Sequence, residues 1–181
     1  MSGIWRHAAL FDVVPAQRPT LGEGDTALLD LPDLAARWGL RSLGLKREDR
    51  NPNGSHKDRG LLYQVAAHRR DEPQVHVISS SGNAATSAAA ACAATGDRLV
   101  AFVSADTEAA KLGRIAARGG VVLLADKPVN FARYAARVFG LQNLRGTADP
   151  LASVGYRSLA GELAGADHVL TFSSSGVSAE G

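Results

Sequence analysis

The chain has 181 residues, a formal net charge of +2 and 45% apolar residues, a composition typical of one globular domain or slightly more. Its interspersed charges argue against a nucleic-acid or membrane surface. No apolar run is long enough for a membrane span or for the core of a signal peptide. Cys92 is the only cysteine, which excludes an internal disulfide and a cysteine-based metal cluster. We therefore expect a cytoplasmic protein with Cys92 as a small core residue.

Strands and helices are predicted to alternate along most of the chain. Residues 1–24 have little periodicity and are expected to form an extended arm. The predicted strands are 28–31, 43–46, 75–79, 99–103, 121–125, 141–144 and 168–172, and the predicted helices are 32–38, 59–70, 84–95, 107–118, 128–138 and 156–163. This alternation predicts an α/β fold, with a mainly parallel sheet covered by helices on both faces.

A turn-rich segment, residues 51–60, places a lysine at the start of a predicted helix. Its Asn-Pro and Asn-Gly pairs favour a tight loop, and Ser55 followed by Asp58 indicates a capping box. Lys57 would then lie in the first helical turn, where the macrodipole disfavours a positive charge. A lysine in that position, especially if desolvated, has a lowered pKa and a nucleophilic neutral form. The alternative is a solvated lysine in a basic surface loop.

Two serine-rich segments also follow predicted strands. Residues 79–83 read Ser-Ser-Ser-Gly-Asn, and residues 173–178 read Ser-Ser-Ser-Gly-Val-Ser. Hydroxyls and free backbone N–H groups at a helix start bind anions, although ordinary capping and turn chemistry also explains either loop alone. Because ligands bind at the carboxyl ends of parallel strands, we expect both loops to share one edge with the lysine loop.

The sequence lacks several common catalytic motifs. It has no phosphate loop of the Gly-Lys-Ser type, no G-x-G-x-x-G after the first strand and no G-x-S-x-G nucleophile elbow. The five histidines lack metal-ligand spacing, so no metal is expected. What remains is an amine nucleophile facing two anion sites. Pyridoxal-phosphate enzymes need this combination: an imine-forming lysine, a phosphate cup and a seat for an amino-acid carboxylate.

Three segments carry a resemblance to a known family. Residues 46–60, from Lys-Arg-Glu-Asp to Gly-Ser-His-Lys-Asp-Arg-Gly, resemble the cofactor-lysine segment of fold-type II pyridoxal-phosphate enzymes, and of threonine synthase in particular. Residues 21–26 resemble the amino-terminal signature of that family, and residues 80–85 resemble its asparagine loop. The resemblance implies a three-layer α/β fold, with an arm and cofactor-lysine domain in residues 1–150 and the start of a second, incomplete domain in residues 151–181.

The resemblance also implies a role for each site residue. Lys57 would hold pyridoxal 5′-phosphate as a Schiff base and, after exchange with substrate, would move protons at the α- and β-carbons. Asn83 would hydrogen-bond the 3′-hydroxyl of the cofactor, with a helix-capping asparagine as the alternative. The substrate carboxylate would bind at Ser80, Ser81 and Gly82, and the cofactor phosphate at Ser173, Ser174, Ser175, Gly176, Val177 and Ser178.

The sequence departs from the family pattern at three places. His56 stands where phenylalanine or tyrosine is usual, and we expect it to stack or to titrate beside the lysine. The predicted phosphate cup has hydroxyls in place of glycines. Residues 146–152 stand where threonine synthases carry an Asn-Pro segment with a serine and an arginine that help to hold the phosphate of O-phosphohomoserine. Here Asp149 stands at the asparagine position and Ala152 at the arginine position. These two changes should oppose a phosphorylated substrate.

Three functions remain open at this point. The first is a lyase of the threonine synthase type. The second is a related enzyme of β-elimination or β-replacement, similar to threonine dehydratase or cysteine synthase, and the third is a non-catalytic binding module. The family pattern continues beyond residue 181, so we expect a chain that is truncated relative to the family. Its partners would be a small amino-acid substrate and either a second copy of the chain or a completing carboxyl-terminal chain.

Overall fold

A computed structural model describes residues 3–172 and 176–181, and its centre is a four-stranded parallel sheet. The strands are β3 (Val75–Ser79), β4 (Arg98–Val103), β5 (Val121–Leu124) and β6 (Gln142–Asn143). Their order across the sheet is β5-β4-β3-β6, and every neighbouring pair is parallel. β3 and β4 pair over five residues, with Val77 beside Val100. The predicted parallel sheet is therefore confirmed.

Helices cover both faces of this sheet. They are α2 (Lys57–His68), α3 (Asn83–Thr95), α4 (Ala109–Ala116), α5 (Pro128–Phe139), α6 (Arg157–Glu162) and α7 (Val177–Glu180). Alternate residues of β4 separate the two faces: Leu99 and Ala101 join the core with the small residues of α3, whereas Phe102 stacks on Phe131 of α5 with ring centroids 6.4 Å apart. The predicted three-layer α/β fold is thus confirmed.

Two short strands form a separate antiparallel pair. β1 (Leu28–Asp30) and β2 (Gly44–Lys46) flank α1 (Pro32–Arg37), and Leu29 lies beside Leu45. The expectation that the strand ending at Lys46 belongs to the parallel sheet is therefore wrong. Alternation of apolar residues identifies a strand, but the partner of that strand depends on contacts that are distant in sequence.

The amino-terminal segment is not an extended arm. Gly3–Leu10 forms a 3₁₀ helix in which Ile4 and Trp5 are buried. Trp5 and Phe11 pack on Tyr63 of α2, with ring centroids 6.2 and 5.0 Å from the tyrosine ring. Aromatic burial of this kind stabilises the segment without any helical periodicity in its sequence.

The strand predicted at residues 168–172 is also wrong. These residues form no strand, and Leu170 and Phe172 are each 98% exposed. A strand is stable only when its backbone groups are paired, and no strand of the described residues lies beside this segment. The division of the chain at residue 150 stays a prediction.

Candidate active site

Lys57 is the first residue of α2, as the sequence predicts. Its backbone N–H donates to Ser55 Oγ at 3.2 Å, so Ser55 serves the helix start. The reciprocal part of the predicted capping box is wrong, because the Asp58 carboxylate accepts from the backbone N–H and the side-chain amide of Asn53, at 2.7 and 2.8 Å. Asp58 therefore closes the loop on itself and orients the residues that precede Lys57.

The Lys57 amine is half-buried and lacks a counter-ion. Within the described residues, Nζ makes no ion pair or hydrogen bond, and it lies 5.4 Å from the centre of the Tyr156 ring. Burial lowers the pKa of this ammonium below its ordinary value of 10.5. The neutral, nucleophilic form is therefore easier to reach than in a solvated lysine, and the alternative of a solvated surface lysine does not describe this side chain.

Two glycines let the Tyr156 ring approach the lysine. A Cβ on Gly60 would lie 2.6 Å from Cζ of Tyr156, and a Cβ on Gly155 would lie 2.4 Å from the carbonyl oxygen of Arg59. Both positions therefore require glycine for close packing of α2 against the 3₁₀ turn Val154–Tyr156. Reasoning from the sequence missed Tyr156, since only this long-range packing places its ring beside Lys57.

A cavity of about 340 Å³ joins Lys57 to the end of β3 and the start of α3. Among the predicted site residues, those that line this cavity are Lys57, Ser80, Asn83 and Val177. Ser81, Gly82, Gly176 and Ser178 do not line it, and Ser173, Ser174 and Ser175 lie outside the described residues. The lysine, the serine loop and the asparagine thus converge even though β2 belongs to another sheet.

The loop after β3 offers polar groups at the start of α3. Gly82 is the N-cap residue of this helix, and its N–H donates to Ser80 Oγ at 3.3 Å. Asn83 is the first helical residue, is exposed, and its side chain forms no cap hydrogen bond. Asn83 is therefore not a capping asparagine, and its amide is available to a bound molecule.

His56 packs against an aromatic ring in a tilted arrangement, with an interplanar angle of 48°, and not in the predicted stack. Its ring centroid lies 5.6 Å from that of Tyr156, on the same ring that faces Lys57. Burial, followed by the charge of Lys57, lowers the pKa of the imidazole below 6.5. The ring is therefore neutral near pH 7, and whether it also exchanges protons in a reaction stays a prediction.

A buried arginine fixes the lysine loop from behind. Arg59 is 0% exposed and forms ion pairs with Glu48 at 2.8 Å and with Glu162 at 2.6 Å. Asn51 accepts the N–H of Gly24 at 2.9 Å, so residues 21–26 also brace the loop. The segments that resemble the family signature thus contact one another and hold Lys57 at the cavity.

The segment 146–152 borders the cavity, but its carboxylate is occupied elsewhere. Asp149 is buried and accepts hydrogen bonds from Gln64 at 2.7 Å, from His68 at 2.9 Å and from the Leu151 N–H at 2.9 Å. Burial alone would raise the pKa of Asp149. The hydrogen bonds from these three donors outweigh burial, so the pKa lies below its ordinary value. Asp149 does not line the cavity, whereas Ala152 does. Whether these two changes oppose a phosphorylated substrate stays a prediction.

Arg145 is a cavity residue that the sequence did not reveal. It follows β6, and its Nη1 donates to the backbone oxygen and Oγ of Ser79 at 3.0 and 3.1 Å. An arginine in a loop of this composition carries no signal in the sequence. Its position depends on the pairing of β6 with β3, which places the ends of both strands side by side.

One group of possible metal ligands lies outside the cavity. Ligand atoms of His7, Asp25 and Glu162 are within 4.8 Å of one another. The Glu162 carboxylate is already shared by Arg59 and Lys46, and Asp25 pairs with Arg6. Because these cations already balance the carboxylates, we assign no metal site to this group.

None of the helices in the described part of the chain has both the length and the apolar composition that a membrane span requires.

Comparison with solved structures shows the fold. The apo form of Escherichia coli diaminopropionate ammonia lyase superposes with a TM-score of 0.73 at 18% identity, over 88% of this chain and 51% of that one. The processed form of threonine deaminase isoform 2 from Solanum lycopersicum gives a TM-score of 0.70 at 23% identity, over 86% and 51% of the two chains. The chain thus spans about half of the length of these structures.

Sequence comparison adds relatives and a family. Threonine synthase of Halalkalibacterium halodurans is 38% identical over 84 residues, which are 46% of this chain and 23% of that protein. Threonine synthase of Methanocaldococcus jannaschii is 34% identical over 104 residues, 56% and 25% of the two proteins. The matched segment is thus about a quarter of these relatives.

The model of the family described as "Pyridoxal-phosphate dependent enzyme" matches residues 19–179. The chain therefore belongs to the pyridoxal-phosphate-dependent enzymes, which confirms the predicted cofactor.

Proposed function

We propose that the chain binds pyridoxal phosphate through Lys57 and is a lyase of the threonine synthase type, acting on O-phosphohomoserine or a related amino acid. The observation that carries this proposal is the half-buried Lys57 amine without a counter-ion, in a cavity shared with Ser80 and Asn83. The threonine synthase relatives support the reaction type.

The residues of the cavity fit the cofactor. The cavity volume of about 340 Å³ lies within the range of small-molecule sites, and its lining contains no carboxylate that would repel a phosphate. Hydroxyl and amide groups stand at the start of α3, and the Tyr156 and His56 rings offer flat apolar surfaces. When bound, pyridoxal phosphate supplies an aldehyde for an amine and a conjugated ring that withdraws electrons from the bonds at the α-carbon.

Each residue then has a defined task. The lowered pKa of Lys57 leaves a larger fraction of neutral amine to react with the aldehyde. In the reaction, the Lys57 amine would serve as the base and acid that moves protons at the α- and β-carbons of the substrate. The substrate carboxylate is assigned to Ser80, which lines the cavity, and to its loop neighbours Ser81 and Gly82, and the 3′-hydroxyl is assigned to Asn83. The phosphate is assigned to residues 173–178, of which Val177 lines the cavity.

Lys57→Ala tests the central part of the proposal. We expect the wild-type chain to retain an absorbance band of lysine-bound cofactor after dialysis, and Lys57→Ala to lose that band while its circular dichroism is unchanged. Lys111→Ala is the control, because Lys111 is exposed and forms a surface ion pair with Glu108. Borohydride reduction and peptide mapping should place the cofactor on Lys57. A band retained in Lys57→Ala, or a label on another lysine, would contradict the assignment.

A second reaction type is favoured by one residue of the cavity wall. Ala152 stands in the cavity wall where the family pattern has an arginine, so the cation that would bind a substrate phosphate is missing at this position. β-Elimination or β-replacement on a serine- or threonine-like substrate, which carries no phosphate, is therefore the second candidate. Threonine and phosphate formed from O-phosphohomoserine and water support the first candidate. Ammonia and 2-oxobutanoate from threonine, or cysteine from O-acetylserine and sulfide, support the second. Retention of the cofactor without any turnover supports a binding module.

The outer surface of α5 supports a proposal about association. Its exposed apolar side chains follow a helical spacing: Phe131, Tyr134, Val138 and Phe139. Apolar stripes of this kind are usually covered by a partner. We propose that a second copy of this chain covers the apolar stripe of α5. Light scattering across a range of concentrations distinguishes the dimer from the monomer.

A further inference from the structure

The cavity beside Lys57 has an unbalanced positive charge. Among the residues that the structure describes, its lining includes the side chains of Lys57 and Arg145 but no aspartate or glutamate. The proposed function assigns Lys57 to the cofactor, so its amine is not available to pair with a substrate anion. Arg145 is then the cationic side chain of this lining that is left for a substrate anion.

The partners of Arg145 are all neutral. Nη1 donates to the backbone oxygen and Oγ of Ser79, at 3.0 and 3.1 Å, and Nε donates to Thr147 Oγ1 at 3.2 Å. Within residues 3–172 and 176–181, Arg145 forms no ion pair, and Nη2 donates no hydrogen bond. Arg59 shows the contrast, since it is balanced by two carboxylates. The contacts of Arg145 thus fix its orientation while leaving its charge and one N–H₂ group for a bound anion.

Thr147 extends this donor group. Its Oγ1 accepts from Arg145 Nε, so its own hydroxyl hydrogen is free to point to another acceptor. Both side chains line the cavity. A guanidinium N–H₂ and a hydroxyl next to each other form a pair of donors suited to an oxyanion.

We propose that Arg145, assisted by Thr147, is a specificity-determining residue that binds a second oxyanion on the side chain of the amino-acid substrate. The proposal rests on the proposed function, in which residues 80–82 receive the α-carboxylate and residues 173–178 the cofactor phosphate. A side-chain carboxylate and a side-chain phosphate offer the same charged oxygens. The substrate class is therefore an amino acid with an acidic side-chain group, in either of these two forms.

The test compares acidic amino acids with neutral ones of equal length. The chain loaded with pyridoxal phosphate is titrated with aspartate and asparagine, glutamate and glutamine, and O-phosphohomoserine and homoserine, and the shift in cofactor absorbance gives each Kd. We expect at least one acidic member to bind about ten- to a hundredfold more tightly than its neutral partner. Arg145→Gln should abolish this preference and leave the neutral partner unchanged. The pair that responds tells a carboxylate from a phosphate.

Controls separate recognition from a structural role. Arg41→Gln removes the same charge at an exposed ion pair with Asp167 and should keep the preference. Thr147→Val should reduce the preference without abolishing it. Equal weakening of acidic and neutral amino acids by Arg145→Gln would overturn the proposal, because Arg145 would then serve the common α-carboxylate or only the Ser79 loop. The absence of any acidic preference in the wild type would overturn it as well.

A second measurement covers failure of the proposed function itself. If the wild-type chain shows no lysine-bound cofactor band, the cofactor assignment fails. Calorimetry of the unloaded chain with malonate and with inorganic phosphate then tests whether Arg145 binds an oxyanion. Binding that Arg145→Gln weakens at least tenfold, and Arg41→Gln does not, supports an oxyanion site at Arg145. Binding to neither anion overturns it.

Discussion

At the scale of single residues, the environment of Lys57 accounts for its chemistry. The residue begins α2, faces an aromatic ring and has no counter-ion among the described residues. Burial is the physical cause that lowers its pKa. The sequence predicted a lowered pKa from the helix macrodipole and from desolvation, and the structure supports the second of these causes directly.

The pKa of Lys57 gives a pH prediction. A lysine with a lowered pKa loses its proton at lower pH, so amine-specific labelling of Lys57 should reach half of its maximum at a lower pH than labelling of Lys111 or Lys127. Burial also slows the labelling reagent, so the midpoint of the pH profile must be compared and not the rate. Competitive labelling followed by peptide mass spectrometry measures all three lysines in one sample. Coinciding midpoints would contradict the burial argument.

At the scale of elements, close packing of α2 on residues 154–156 positions the ring beside the lysine. Gly60 is in the interior of a helix, where glycine costs about 1 kcal/mol relative to alanine. Its presence there is explained by the Tyr156 ring, which occupies the space of a Cβ and is itself only 3% exposed. The helix thus loses local stability in exchange for a contact that shapes the cavity.

Gly60→Ala should therefore destabilise the protein in spite of the better helix propensity of alanine. We expect a loss of about 1–3 kcal/mol in the free energy of unfolding, because the buried ring must move, and weaker retention of the cofactor. Gly113→Ala is the matched control. A Cβ on Gly113, inside α4, meets no atom within 4 Å, so this change should stabilise by up to about 1 kcal/mol. Urea unfolding of both variants measures the difference, and stabilisation by both would contradict the packing argument.

At the scale of the whole molecule, Arg59 connects parts of the chain that are far apart in sequence. It joins the lysine loop to α6 through Glu162, which also pairs with Lys46 at 2.5 Å. Burial alone would raise the pKa of Glu162, but the hydrogen bonds from Arg59 and Lys46 lower it to about 2, from an ordinary value of 4.5. The ionised carboxylate thus stabilises the fold.

The sign of this shift predicts the response to acid. Because the pKa of Glu162 is lower in the folded chain, its stabilising effect is fully present above pH 4.5 and is lost as the pH falls towards 2. Glu162→Gln should lower the free energy of unfolding at pH 7 by about 3 kcal/mol and flatten its decline between these pH values. Asp167→Asn, at an exposed ion pair, should change little. Urea unfolding at pH 7, 4.5 and 3 measures this, and parallel declines for wild type and Glu162→Gln would contradict it.

The sequence by itself determined the alternation of strands and helices, the helix with Lys57 in its first turn and the residues that resemble the family. These features depend on local periodicity and turn chemistry, which are properties of residues that are close together in sequence. Only the tertiary structure decided the antiparallel pairing of β1 with β2, the packed 3₁₀ helix at Gly3–Leu10 and the absence of a strand at 168–172. It also placed Tyr156 beside Lys57, placed Arg145 in the lining of the same cavity and joined Asp149 to Gln64 and His68. The physical reason is that strand pairing and side-chain contacts are settled by residues far apart in the chain, whose spacing in sequence carries no trace of their distance in space.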